Sequence, residues 1–241
     1  MKIIIVYDNR TLDPDLASAW GFSCLMGEDL LFDTGGDSRT LLSNMAKMGI
    51  DPARIKTVVL SHAHGDHTGG LGGLLGTGVR PTVYVPRSFP ARFKADVRAL
   101  TTLVEVHGPA EILPGIHTTG EVGRGLVEQA LVVETEEGLV VVTGCAHPGV
   151  VEMVRRAKES IGARTPPRTG GGEVALVLGG FHLGGMSRRR VERIVADFRQ
   201  LGVQRAAPCH CTGDRAIEIF AEKYGEDFIK VGVGMTLDLG P

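Results

Sequence analysis

Residues 60–70 read Leu-Ser-His-Ala-His-Gly-Asp-His-Thr-Gly-Gly, and within them stand His62, His64, Asp66 and His67. Imidazole and carboxylate donors crowded at this spacing point to metal binding. Neutral imidazole suits zinc, iron, nickel or copper, and a carboxylate adds hard-ligand character. A plain polar turn does not account for them, because Gly-rich turns favour Asn, Asp and Ser on conformational grounds rather than histidine. The apolar, β-branched run at 57–60 reads as a buried strand. The donors therefore stand where a strand ends, on a turn loosened by Gly65 and the Gly69-Gly70 pair. In extended geometry alternate side chains share a face, which puts His62 and His64 on one cation. The turn then directs Asp66 and His67 towards a second.

Three later strand ends also carry a histidine: Gly144-Cys145-Ala146-His147, Gly179-Gly180-Phe181-His182 and Pro208-Cys209-His210-Cys211. Metal sites gather three or four protein groups on each ion, and the first motif supplies two. We expect His62, His64 and His147 on one metal and Asp66, His67 and His210 on the other. Two divalent ions follow, with zinc favoured and iron or manganese also suited to such donors. Asp66 and His182 are the expected catalytic residues. His182 fits a ligand, an acid–base group or a substrate contact equally well. Cys209 and Cys211 flank His210, but a structural zinc site needs a second Cys pair that the chain lacks.

The elements that must position these groups alternate strand and helix. A hairpin is expected over 22–32. Asp33-Thr34-Gly35-Gly36 then leads to a helix carrying Leu41, Leu42, Met45 and Met48 and ending at Gly49. Asp51-Pro52 opens a short helical turn, 81–85 is a strand, and 87–98 is a basic, helical stretch. In the second half, strands at 130–134 and 139–142 form a pair, with a helix at 150–161. A strand at 174–178 precedes an amphipathic helix with Ser187 as its N-cap and a stop at Gly202. A strand at 203–207, a helix at 212–224 and a closing strand over 231–239 complete the pattern. The Pro/Gly-rich loop at 165–172 reads as an insertion or lid. Strands ending in polar residues with helices beyond place the chemistry at one edge of a layered α/β sandwich.

Composition narrows the setting. At 241 residues, 43% hydrophobic and 22% charged, the chain fits one globular domain over its whole length. A net charge of -2 gives no general attraction for nucleic acid or acidic membranes, and 5% aromatics supply no broad base-stacking surface. The expected partner is an anionic small molecule, with no nucleic acid and no membrane. Four cysteines do not make a disulfide framework at this length, and the short apolar start runs straight into Asp8-Asn9-Arg10. A reducing, cytoplasmic setting without a signal peptide is expected. Arg87, Arg92, Lys94 and Arg98 form a basic cluster. It reads as a solvated helix face or as an anion clamp, with Arg92 and Lys94 as candidate phosphate contacts.

The His-x-His-x-Asp-His spacing resembles the signature of the metallo-β-lactamase superfamily. Further segments narrow the resemblance: Leu31-Phe-Asp-Thr-Gly35, Thr118-Thr-Gly-Glu121, residues 129–149, Leu178-Gly-Gly-Phe-His-Leu183 and Pro208-Cys-His-Cys-Thr-Gly213. Together they are similar to the branch labelled dihydropterin ribofuranosylaminobenzene 5′-phosphate synthase-like. The resemblance implies a four-layer αββα sandwich with two mixed β-sheets and a metal site at one edge. It places Cys145 where many members carry a bridging aspartate, so Cys145 is either a metal-binding thiolate or a small buried hydrophobe. Asp33 takes the place of an aspartate that hydrogen-bonds and orients a ligand. His117, in Pro114-Gly115-Ile116-His117-Thr118, mimics a Pro-Gly-His-Thr motif with one extra residue. The expected activity is metal-dependent hydrolysis of a phosphorylated or anionic small molecule. Iron redox chemistry on the same fold and pterin-cofactor synthesis are the alternatives, because this fold hosts many reactions.

Overall fold

Short runs of Ile, Leu, Val and Phe near the N-terminus make the first strands. In the computed structural model, which describes residues 1–162 and 174–240, β1 (Lys2–Tyr7) pairs antiparallel with β2 (Ser23–Met26), and β2 with β3 (Leu30–Phe32). Gly27 turns this hairpin with φ 62°, a left-handed value that glycine adopts without a Cβ penalty. Helix α1 (Ser38–Lys47) starts at Asp37, whose carboxylate accepts from the Thr40 amide at 2.8 Å and from the Tyr7 hydroxyl at 2.8 Å. Then come β4 (Thr57–Val59), the helical turn α2 (Gly65–Thr68), α3 (Leu71–Gly76), β5 (Thr82–Pro86), α4 (Ala91–Arg98) and β6 (Leu103–Val106).

The chain divides into two compact units, and these elements belong to the first, residues 1–107 with 231–240. Its seven-stranded sheet is mixed. β3, β4, β5 and β6 run parallel, and the closing strand Thr236–Asp238 lies antiparallel on β1. Leu31, Val58 and Val83 pack on one face with Leu41, Met45 and Leu74 from the helices. The alternate residues Ile5, Phe32 and Val59 are equally closed to solvent, so both faces read apolar, as parallel strands require.

The second unit, residues 108–230, contains β7 (Ala110–Leu113), β8 (Ile116–Thr118), β9 (Leu131–Thr135), β10 (Gly138–Thr143) and α5 (Val150–Gly162). It continues with β11 (Val174–Gly180), α6 (Arg188–Gln200), β12 (Val203–Cys209) and α7 (Asp214–Tyr224). Here β10, β11 and β12 are parallel, and β7 to β10 pair antiparallel in sequence order. Val141, Val177 and Ala206 face Met153, Phe198 and Phe220 from the helices. Phe181 meets Phe198 at 5.6 Å and Phe220 at 5.4 Å between ring centroids, both edge-on, the arrangement aromatic quadrupoles favour.

Several local expectations change. The basic stretch is helical only over Ala91–Arg98. The period-two tail forms a strand only at Thr236–Asp238, while Val233 makes an isolated parallel bridge with Thr11. Ser187 occupies the N-cap of α6, but its hydroxyl makes no capping bond. The last helix begins at Asp214, after a 3₁₀ turn over His210–Thr212. Helix α3 and strands β6, β7 and β8 were not anticipated. The loop at 165–172 lies outside the described residues. Among those described, no helix is long and apolar enough to cross a membrane.

Removing the α1 cap tests this part of the packing. Asp37→Ala is expected to lower the unfolding free energy by about 1 kcal/mol, seen as a lower urea midpoint at unchanged slope. The Thr40 amide, followed by the Tyr7 hydroxyl, holds the Asp37 carboxyl below its ordinary value. With the folded-state pKa depressed, the contribution is present above about pH 4 and is lost as the pH falls, so the difference between variants closes in acid.

Candidate metal centre

In the first unit, parallel pairing sets Phe32 of β3 beside Val59 of β4. Both strands therefore end together, Asp33 follows one and Ser61-His62 follows the other. Asp33 is fully buried, and its Oδ1 accepts the Ser61 amide at 2.7 Å. Its Oδ2 accepts the Ser61 hydroxyl at 2.7 Å and Nδ1–H of His67 at 2.7 Å. Because the Ser61 hydroxyl spends its proton on Asp33, its oxygen accepts Nδ1–H of His62 at 2.9 Å. One carboxylate thus sets the tautomer of two imidazoles, and coordination falls to Nε2 of each ring. Burial pushes the Asp33 carboxyl up, and the His67 and Ser61 bonds pull against that shift.

His64 is extended as expected, and the turn that follows it is helical rather than loose. Gly65–Thr68 is a helical turn with His64 at its N-cap position, so Asp66 and His67 ride on a helix. The His62 ring lies 4.7 Å from that of His64 and 4.2 Å from that of His67, which makes one cluster with His62 at its middle. Asp66 Oδ2 is 3.6 Å from His67 Nε2. His62 and His67 are buried, Asp66 is half-buried and His64 is exposed. Gly69 and Gly70 have ordinary helical φ, so close approach explains them rather than a loose turn. A Cβ at Gly69 would sit 2.1 Å from the Gly36 carbonyl oxygen, and one at Gly70 would sit 2.1 Å from that of Thr34. That approach lets the Thr34 amide donate to the His67 carbonyl at 2.7 Å.

The second unit repeats the device with a residue that sequence reasoning missed. Glu128 is fully buried; its Oε2 accepts the Ala146 amide at 2.7 Å, and its Oε1 accepts Nδ1–H of His147. As with Asp33, one oxygen holds a backbone N–H and the other an imidazole, but here the two belong to adjacent residues, Ala146 and His147, rather than to Ser61 and His67. The only hint in the sequence is a polar pair, Glu128-Gln129, set just ahead of the apolar run of β9. His182, exposed at the end of β11, brings its ring to 4.3 Å from that of His147. His210 is buried in the 3₁₀ turn after β12. Cys145 is buried at the end of β10. His117 lies in β8, with Nε2 on Glu134 at 2.6 Å.

Backbone strain marks the same places. Among the described residues, the non-glycine positions with positive φ are Asp33, Ala146, His182 and His210, at 49–57°. Each sits at or beside a candidate ligand just past a strand end. A non-glycine residue in this region costs on the order of 1–3 kcal/mol and persists where the surroundings enforce it. Gly179 and Gly180 let the neighbouring strands close in, since added Cβ atoms would fall 2.0 Å from the Thr143 oxygen and 2.3 Å from the Gly144 oxygen. The expected anion contacts lie on α4. Lys94 is engaged by Glu105 at 2.8 Å and by the Arg87 carbonyl oxygen at 2.8 Å, and Arg92 is 95% exposed with Asp96 at 3.9 Å.

The donor chemistry fits divalent metal: imidazoles with carboxylate- or hydroxyl-anchored Nδ1, plus one half-buried carboxylate. Comparison with known proteins agrees. The family model described as the metallo-β-lactamase superfamily matches residues 24–179, and the chain belongs to that superfamily. It is 29% identical, over 86% of its own length and 83% of the relative's, to a Methanocaldococcus jannaschii protein named 7,8-dihydropterin-6-methyl-4-(β-D-ribofuranosyl)-aminobenzene-5′-phosphate synthase. A solved metal-dependent hydrolase of the β-lactamase superfamily shares 30% identity over the whole of both chains, with a TM-score of 0.81. A metallo-β-lactamase fold protein from Bacillus subtilis, 14% identical over 98% of each chain at a TM-score of 0.66, shows the fold alone. The chain is thus an enzyme of a metal-dependent α/β fold with two mixed sheets.

Two substitutions probe this geometry. Glu128→Ala leaves the Ala146 amide and the His147 ring without their buried acceptor, and should lower stability by about 1–3 kcal/mol in denaturant titration. Gly180→Ala should cost about 1–3 kcal/mol, as expected for an overpacked interior, because the added Cβ meets the Gly144 carbonyl oxygen, a backbone atom that cannot swing away.

Proposed function

We propose that the chain is a metal-dependent hydrolase of phosphorylated or otherwise anionic small molecules, with His62, His64 and His147 serving one cation and Asp66, His67 and His210 another. The observation that carries this reading is the paired construction around Asp33 and Glu128, each a buried carboxylate that accepts an imidazole Nδ1–H (His67 and His147) and a backbone amide just ahead of a candidate ligand (Ser61 and Ala146). Nothing in ordinary core packing calls for two such buried carboxylates. Zinc suits the imidazole-rich set, with iron or manganese as alternatives.

The chemistry that divalent cations supply in such a donor set is acidification of a water and polarisation of the scissile ester oxygen. The protein's own part is to hold the imidazoles in the ligating tautomer through Asp33, Ser61 and Glu128. His182, beside His147 and open to solvent, is positioned to give a proton to the leaving group. Asp66 is half-buried and placed to orient the attacking water. The ammonium of Lys94 is already engaged by Glu105, which leaves Arg92 as the freer candidate for a substrate phosphate.

A second reading draws support from the Methanocaldococcus jannaschii relative, whose name describes synthesis of a pterin–ribofuranosylaminobenzene phosphate. Mass spectrometry after incubation with a pterin and a ribofuranosylaminobenzene phosphate, beside a panel of phosphomonoesters, phosphodiesters, lactones and thioesters, separates the two. For the metal centre itself, His62→Ala and His210→Ala should each lose bound zinc by elemental analysis; full retention in both overturns the assignment. Glu128→Gln, which keeps the shape but not the acceptor pair, is expected to weaken metal affinity or turnover by about 10–100-fold.

A further inference from the structure

Trp20 is the only tryptophan of the chain, and it is 62% exposed. Among the described residues it is the one aromatic among the exposed large hydrophobic side chains. Its backbone lies in the first unit, directly against the histidine–aspartate motif. The Phe22 amide donates to the Asp66 carbonyl at 3.2 Å. A Cβ at Gly21 would stand 2.5 Å from that same oxygen and 2.7 Å from the Gly36 nitrogen. Gly21 also has φ 145°, a value that side-chain-bearing residues rarely adopt. A Cβ at Gly36 would lie 2.6 Å from the Trp20 carbonyl oxygen and 3.7 Å from the Asp66 Cα. The approach to Trp20 is tied as well. The Ala17 amide donates to Asn44 Oδ1 at 2.9 Å, the Ala19 amide to the Asp8 carbonyl at 3.1 Å, and the Gly21 amide to Asn9 Oδ1 at 3.1 Å. Main chain and polar side chains make these bonds, so the loop keeps its course without burying the indole.

We propose that Trp20 is a specificity-determining residue, a stacking platform for a flat aromatic or heteroaromatic ring carried by the small-molecule substrate. Most of the indole stands in water, where its large apolar area yields nothing until a partner covers it. Its side chain has two torsions to fix, so covering it costs little conformational entropy. Stacking also tolerates many ring types, because every flat ring presents a π-face. The residue is seated on the backbone of the motif, so one small molecule can place a ring on Trp20 and an ester at the donors. Aromatics at 5% supply no row of such platforms, so a single ring is read rather than a strand of bases. The exposed Asp13 and Asp15 of the same loop disfavour an acidic membrane as the indole's partner. The fate of the bound molecule rests on the hydrolase reading above, while the ring contact itself does not.

The test uses the full, zinc-loaded chain and follows tryptophan emission, which reports on Trp20 alone. It is titrated with AMP against ribose 5-phosphate, and with phenyl phosphate against glycerol phosphate. At least one ring-bearing ester is expected to quench saturably where its ring-less counterpart does not. Equal responses within both pairs overturn the proposal. Calorimetry on variants gives a second readout. Trp20→Ala should lower the preference for the ring-bearing ester by about tenfold, and Trp20→Phe should restore most of it. A preference that survives Trp20→Ala overturns the assignment. So does a blue shift that follows protein concentration and dimer formation alone, which would make the indole a contact between copies. Leu100→Ala, which truncates another exposed apolar side chain just beyond α4, should leave the preference unchanged. Should Trp20→Ala fail to fold, the titration of the native chain decides alone. Binding is read here without turnover, so a chain that stacks the ring yet cleaves none of these esters counts against the hydrolase reading and for this one.

Discussion

A buried carboxylate without compensation would cost more than a small domain can spare, and Asp33 is fully compensated. The Ser61 amide, the Ser61 hydroxyl and the His67 ring together satisfy it. That satisfaction is what joins the end of β3 to the end of β4 and to the helical turn α2. If the register of β3 on β4 slipped by one residue, Asp33 would lose the Ser61 amide and become an unpaired charge in an apolar interior. The strand register, the histidine tautomers and the placement of the motif therefore stand or fall together. Glu128 imposes the same condition on the second unit, tying the chain ahead of β9 to the turn after β10.

Parallel strands do the rest of the positioning. β3 and β4 end side by side in one sheet, and β10, β11 and β12 end side by side in the other. Ligands and their anchors can then be distributed over distant stretches of sequence and still share an edge within their unit. Glycine contributes mainly by what it omits. At Gly69, Gly70, Gly179 and Gly180 a single methyl-sized group would collide with a neighbouring carbonyl oxygen. These positions set how closely adjacent turns approach, and through that the distances between functional groups.

Much of this organisation could be read from residue order. Periodicity located α1, α5, α6 and α7 because each buries one clear stripe, and the β-branched runs located β4, β9, β10, β11 and β12. The strand-end histidines stood out for the same reason: polarity breaks off an apolar run. Helix α3 escaped because Gly72, Gly73 and Gly76 argue against a helix, and packing of Leu71, Leu74 and Leu75 overrides that propensity. Strands β6, β7 and β8 are short and only partly buried, so they carry no strong alternation. Glu128 escaped because its partner lies far along the chain, at a spacing set by the β9–β10 hairpin rather than by any local rule. The helical form of the motif was hidden by Gly65, which weakens the helix signal at its first residue.

The four left-handed positions have an evolutionary consequence. At residues 33, 146, 182 and 210 the backbone tolerates glycine best and asparagine or aspartate next, while β-branched side chains fit worst. A lineage selected only for thermostability would drift towards glycine or asparagine at those positions, gaining relief from strain and erasing the chemistry in the same steps. Laboratory libraries built on this scaffold face the same trade. The positions where sequence diversity would look most profitable for new activity are those where the backbone admits the fewest residue types.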